Sequence, residues 1–89
     1  MEEHKHAHTK DIINRLSRAT GHLNAVKKMI EEHKDCSDVL IQLSAVKSAL
    51  NKIGQIILKD QIEHCIVDAA KNNDKETLEK LMKAIERIV

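Results

Sequence analysis

The stretch that decides the fold runs Cys36-Ser37-Asp38-Val39-Leu40-Ile41-Gln42-Leu43-Ser44-Ala45-Val46-Lys47-Ser48-Ala49-Leu50-Asn51-Lys52-Ile53-Gly54-Gln55-Ile56-Ile57. Val39, Leu43, Val46, Leu50, Ile53 and Ile57 recur at intervals of four and three, the period of one helical face. A second apolar set, Leu40 and Leu58 with Ile41, Ala45, Ala49 and Ile56, widens that stripe. A helix apolar on more than one side has to be covered by more than one neighbour. The hydrophobic pattern continues to about Ala70, so one helix is expected to carry both cysteines, Cys36 and Cys65. A rise of about 1.5 Å per residue sets them roughly 43 Å apart. A disulfide needs Cα atoms within about 7 Å. The two thiols can therefore meet only if a second copy of the helix lies antiparallel. The spacing predicts either two separate inert thiols or a symmetric dimer with two inter-subunit thiol sites.

On the N-terminal side, Ile12, Leu16, Ala19, Leu23, Val26 and Ile30 form a heptad-type stripe on a first helix, with Thr9 as its expected N-cap. Gly21 inside it costs about 1 kcal/mol against alanine, which close helix packing would explain. Glu31-Glu32-His33-Lys34-Asp35 is a polar break, and Asp35 or Ser37 caps the next helix. Lys71-Asn72-Asn73-Asp74 is a turn, followed by a short third helix with Leu78, Leu81, Met82, Ile85 and Ile88. Residues 1–8 read as a flexible arm bearing His4, His6 and His8, and residues 9–89 as a single domain. The expected class is all-α, with three helices of unequal length that pack between molecules.

Composition narrows the function. The 89 residues contain no Pro, Trp, Tyr or Phe, only two Gly, and 42% hydrophobic residues. Without aromatics, binding of single-stranded nucleic acid by stacking is disfavoured. No apolar run reaches the roughly 18 residues of a membrane span, and Met1-Glu2-Glu3-His4 lacks a signal-peptide apolar region. A cytoplasmic protein with reduced thiols is expected, its cysteines sensing or metal-binding rather than structural staples. No acid/base pair, nucleophile triad or phosphate loop is visible, so an enzyme is not expected. Nothing in the chain requires a cofactor.

Several residues carry candidate chemistry. Arg15 and Arg18 lie three apart on a face away from Leu16 and Leu23, with Lys10 nearer the start of the same helix. They are either a solvated charged face or a phosphate-contacting stripe multiplied by oligomerisation; net charge is only +1, and no standard DNA-binding motif is present. Cys36 falls at or near a helix N-terminus, where exposed N–H groups favour a reactive thiol. Cys65, flanked by Ile62 and Ile66, is open to reading as buried packing. Gln61, four residues before Cys65, shares its face, but a neutral amide is a poor ligand for soft metals. His64 points about 100° away and reads as a surface histidine. The arm histidines could supply one ligand to a site built elsewhere.

Taken together, these residues resemble a known family. Asn14-Arg15-Leu16-Ser17-Arg18-Ala19-Thr20-Gly21-His22-Leu23 looks like the first-helix signature of the CsoR/RcnR/FrmR bacterial repressors. Asp35-Cys36-Ser37-Asp38-Val39-Leu40 with Gln42-Leu43-Ser44-Ala45-Val46 resembles the start of their second helix, and Asp60-Gln61-Ile62-Glu63-His64-Cys65 its end. The resemblance covers nearly the whole chain. It implies an antiparallel helical dimer, a tetramer made of two such dimers, and a repressor that binds operator double-stranded DNA. On that resemblance Arg15 and Arg18, and less directly Lys10, are carried over as DNA contacts, and an effector at the inter-subunit site weakens DNA binding.

The family's effector fingerprint falls on His4, Cys36, Gln61 and Cys65. Copper(I) sensors carry Cys, His, Cys at the last three of these positions, and nickel or cobalt sensors carry Cys, His, His. Here Gln61 replaces the histidine, and Asp35 stands where the copper branch tends to have tyrosine. The pattern is most similar to the persulfide-sensing, CstR-like branch, which also shows a run like Lys34 to Val39. That resemblance implies that Cys36 receives sulfane sulfur and Cys65 of the partner subunit resolves it into a di-, tri- or tetrasulfide bridge. The alternatives are a Cu(I)-responsive repressor using the two thiolates, and a helical interaction module with inert thiols.

Overall fold

In a computed structural model, which describes residues 8–89, the chain forms three helical rods. The first is α1 (Thr9–Glu31). The second begins as α2 (Cys36–Ile57), passes through a π-helical segment (Leu58–Ile62) and continues as α3 (Glu63–Lys71). Ile57, Leu58, Ile62 and Glu63 all keep right-handed helical dihedrals, so residues 36–71 are one unbroken rod. The third rod is α4 (Lys75–Ile88).

Both breaks use the same device. At the end of α1, His33 takes a left-handed φ of 57°, the Lys34 N–H donates to Met29 O at 2.9 Å, and the His33 N–H donates to Ile30 O at 3.1 Å. At the end of α3, Asn73 takes φ 55°, the Asp74 N–H donates to Ala69 O at 2.8 Å, and the Asn73 N–H donates to Ala70 O at 3.1 Å. Paired bonds of this kind satisfy carbonyls that a helix end otherwise leaves bare. An aspartate then starts the next helix each time. The Asp35 carboxylate accepts from the Ser37 N–H at 3.1 Å, and the Asp74 carboxylate accepts from the Thr77 N–H at 3.1 Å. The first helix begins differently from expectation. His8 occupies the N-cap position without a side-chain bond, and Thr9 is already helical.

α1 folds back along α2. The buried residues of α1 are Ile12, Ala19 and Val26, and α2 buries Val39, Val46 and Ile53. Each set recurs every seven residues, one column of the expected stripe. Ile12 and Ala19 cluster with Ile53, flanked by Ile56 and Ile57, while Val26 clusters with Val39 and Val46, flanked by Met29. The helices therefore run antiparallel. The other column is left uncovered: Leu16, Leu23 and Ile30 on α1, and Leu43 and Leu50 on α2, are exposed. The unequal helices were expected to pack between molecules, but one column of the stripe closes within the chain. Gly21 has nothing within 4 Å of where a side chain would begin, so no close approach inside the chain explains it. Gly54 does meet such an approach: a Cβ there would lie 3.0 Å from Ile88 Cγ1, which seats the end of α4 on α2. No helix among the described residues is long and apolar enough to cross a membrane.

Candidate functional site

Cys36 is the first residue of α2 and Cys65 the third of α3, at opposite ends of the 36–71 rod. Both are exposed and neither forms a disulfide. The Asp35 cap, which fixes the turn entering α2, places Cys36 beside the uncapped N–H groups of the first helical turn. Cys65 was open to reading as buried packing; it lies instead on the open side of the rod. Helix rise still separates the two by roughly 40 Å. Among the described residues, no group of three or more His, Cys, Asp or Glu side chains could hold a metal. Within one chain the two thiols are held apart, one near each end of the rod.

Gln61 sits inside the π-helical segment and is half-buried. π turns widen the helix and occur often at functional sites. His64 is exposed, with Nε2 at 3.7 Å from Asp68 Oδ2, in keeping with a surface histidine. His4 lies outside the described residues.

Of the three basic residues singled out in the sequence, Arg15 and Arg18 share one groove with His22, and Lys10 does not join them. Arg15, Arg18 and His22 line a groove of about 220 Å³ between α1 and α2, whose apolar wall includes Ala19, Ala49 and Ile53. Arg15 is also held by its neighbour, Nε donating to Asp11 Oδ2 at 3.0 Å. His22 Nε2 lies 2.8 Å from Gln42 Oε1, tying the groove to α2. Lys10 is exposed on α1 and does not line this groove. His22 escaped the sequence reading, although a signal existed: positions 15, 18 and 22 are three and seven residues apart and share a helical face. Two cationic side chains and an imidazole beside a shallow groove suit an anionic partner such as a phosphate.

Comparison with known proteins identifies the family. Residues 8–87 match the family described as metal-sensitive transcriptional repressor. The chain is 39% identical over 74 residues to the copper-sensing transcriptional repressor CsoR of Bacillus subtilis, covering 82% of this chain and 73% of that one. It is 44% identical over 55 residues to the copper-sensing repressor RicR of Mycobacterium tuberculosis, covering 62% of this chain and 57% of that one. Among solved structures, the copper-sensing repressor CsoR with Cu(I) from Geobacillus thermodenitrificans superposes with a TM-score of 0.75 at 34% identity, covering 88% of this chain and 82% of that one. The nickel-responsive regulator InrS gives 0.68 at 38% identity, covering 91% and 92%. These relatives are named for copper and nickel, not for persulfide, so the expected nearness to a CstR-like branch gives way to nearness to copper-sensing repressors. The chain belongs to the metal-sensitive transcriptional repressors, which are regulators of transcription and not enzymes.

Proposed function

We propose that this chain is an operator-binding repressor whose effector acts on a dithiol formed between subunits, Cys36 with Cys65 of the partner subunit. The observation that carries this is the pair of exposed, unbridged cysteines at opposite ends of one unbroken rod. Arg15 and Arg18 contact DNA phosphates, with Lys10 adding charge nearby. Self-association supplies the second thiol of each site and doubles the basic surface.

Of the two candidate effectors, Cu(I) has the stronger support. Both sequence relatives described above are named as copper-sensing, and a solved structure at 34% identity holds Cu(I), although another at 38% identity is named as nickel-responsive. Thiolates are soft ligands suited to Cu(I), and two of them can bind it linearly without an imidazole. A specific residue favours the second reading, reactive sulfur. Gln61 stands at the fingerprint position where the resemblance puts a metal-binding histidine. In that chemistry the Cys36 thiolate attacks the outer sulfur of a persulfide and displaces a thiolate. The Cys65 thiolate of the partner subunit then attacks the modified sulfur, releasing hydrosulfide and leaving a disulfide. The persulfide is the oxidant and the two thiols are oxidised.

A binding titration on operator DNA with reduced, Cu(I)-loaded and polysulfide-treated protein side by side tests both. Release by Cu(I) alone supports the copper reading. Release by polysulfide with a covalent two-chain species in the intact mass supports the sulfur reading. Retention of DNA under both treatments sinks the dithiol as effector site.

A further inference from the structure

Arg15 stands on the wall of two clefts. One is the groove it shares with Arg18 and His22. The other, about 470 Å³, lies beside the N-terminal end of α1 and is bordered by Asp11, Arg15, Lys52, Lys59, Asp60 and Glu63. The bond to Asp11 draws the Arg15 guanidinium toward the N-terminus of α1, on the side of this second cleft. Asp60 Oδ2 is buried and has no hydrogen-bond partner among the described residues, although Lys52 and Lys59 border the same cleft. The sequence explains how a carboxylate comes to face α1. Asp60 falls seven residues after Ile53, continuing the column Val39, Val46, Ile53 that packs on that helix. A buried acceptor without a donor is costly until one arrives. Arg15 has donors to spare, because Asp11 engages only one of its five N–H groups.

We propose that Asp60 is a positioning residue that competes with operator phosphate for Arg15. The guanidinium exchanges between the groove shared with Arg18 and His22, where it meets DNA, and the cleft where Asp60 Oδ2 accepts from its terminal nitrogens. The inference rests on the reading of Arg15 as a phosphate contact. Asp60 immediately precedes Gln61 in the π-helical segment, and Cys65 follows four residues after Gln61. A shift of that segment at the thiol site therefore alters the hold of Asp60 on Arg15, giving the two sites a physical link.

The test is operator affinity of the reduced, metal-free protein as a function of salt, for wild type, Asp60→Asn, Arg15→Ala and the double variant. Asp60→Asn tightens binding about three- to fivefold, the scale of one partly exposed ion pair. It steepens the salt slope by up to about 0.9, the value of one gained phosphate contact. In the Arg15→Ala background the same substitution changes neither quantity. An equal gain without Arg15 would mean simple removal of a negative charge near DNA and would overturn the proposal, as would no gain in wild type. If Arg15→Ala alone leaves affinity and slope unchanged, Arg15 is not a phosphate contact and the reading beneath the proposal fails with it. Asp60→Ala gives the same direction by a second route, and circular dichroism checks that each variant folds.

Discussion

Gln61 is the residue on which effector chemistry turns. It sits half-buried in the π-helical segment, one helical turn before the exposed Cys65. Replacing it with histidine restores an imidazole beside the thiolate, so Gln61→His tightens Cu(I) binding by about tenfold or more, the scale of a gained or lost contribution to a metal site. Competition with a Cu(I) chelator measures this, and unchanged affinity would mean that position 61 does not face the metal. Cys36→Ser removes the effector response altogether while operator affinity of the reduced protein stays within about twofold, because Cys36 lies apart from the Arg15 groove. Operator titrations with and without effector check it. That Cys36, Gln61 and Cys65 lie along one rod was legible, because the apolar period runs through all three. The π turn around Gln61 was not, since Leu58-Lys59-Asp60-Gln61-Ile62 holds neither glycine nor proline to mark it.

At the scale of elements, helix ends were more legible than helix interiors. Of the two caps the sequence offered for α2, Asp35 is the one used, and Asp74, placed in the sequence only within a turn, caps α4 by the same type of bond. Asp74 also accepts from the Thr77 hydroxyl at 2.7 Å, and these two bonds from Thr77 hold its carboxyl below the usual carboxylate range. A carboxyl whose folded pKa is depressed stabilises the fold above its unfolded value, and that contribution disappears as pH falls through the folded one. α4 is therefore expected to lose helicity as pH falls below the ordinary aspartate range. Asp74→Asn, which caps without titrating, removes that part of the change; helicity followed from pH 5 to pH 2 reads the difference. The other turn carries a residue less suited to its backbone. His33 holds a left-handed φ of 57° that costs a side-chain-bearing residue about 1 kcal/mol. His33→Gly accordingly stabilises the protein by roughly 0.5–1 kcal/mol in urea unfolding.

At the scale of the whole molecule, one chain is a hairpin with a single buried column and a second left in water. Leu40 and Ile41 are more than 60% exposed, and Leu43, Leu50 and Val67 leave further apolar surface along the same rod. The sequence announced both columns of the stripe but could not say which one closes within the chain. Either column has the same period, and the choice depends on the direction in which α1 returns. The covered column, with Val46 only 2% exposed, holds the hairpin together, and Val46→Ala costs about 2 kcal/mol. The open column is where a second chain would bring its own Cys65 to Cys36, so assembly and sensing are expected to fail together. Lysine at Leu43 and Leu50 puts two charges on that surface without touching either cysteine, the Arg15 groove or the buried column. The double variant is expected to sediment as a smaller species than wild type at micromolar concentration, to keep its helicity, and to lose any effector response. If it becomes monomeric yet still responds to Cu(I) or polysulfide through both cysteines, the thiols act without a partner, and the inter-subunit dithiol is the wrong account of the rod's two ends.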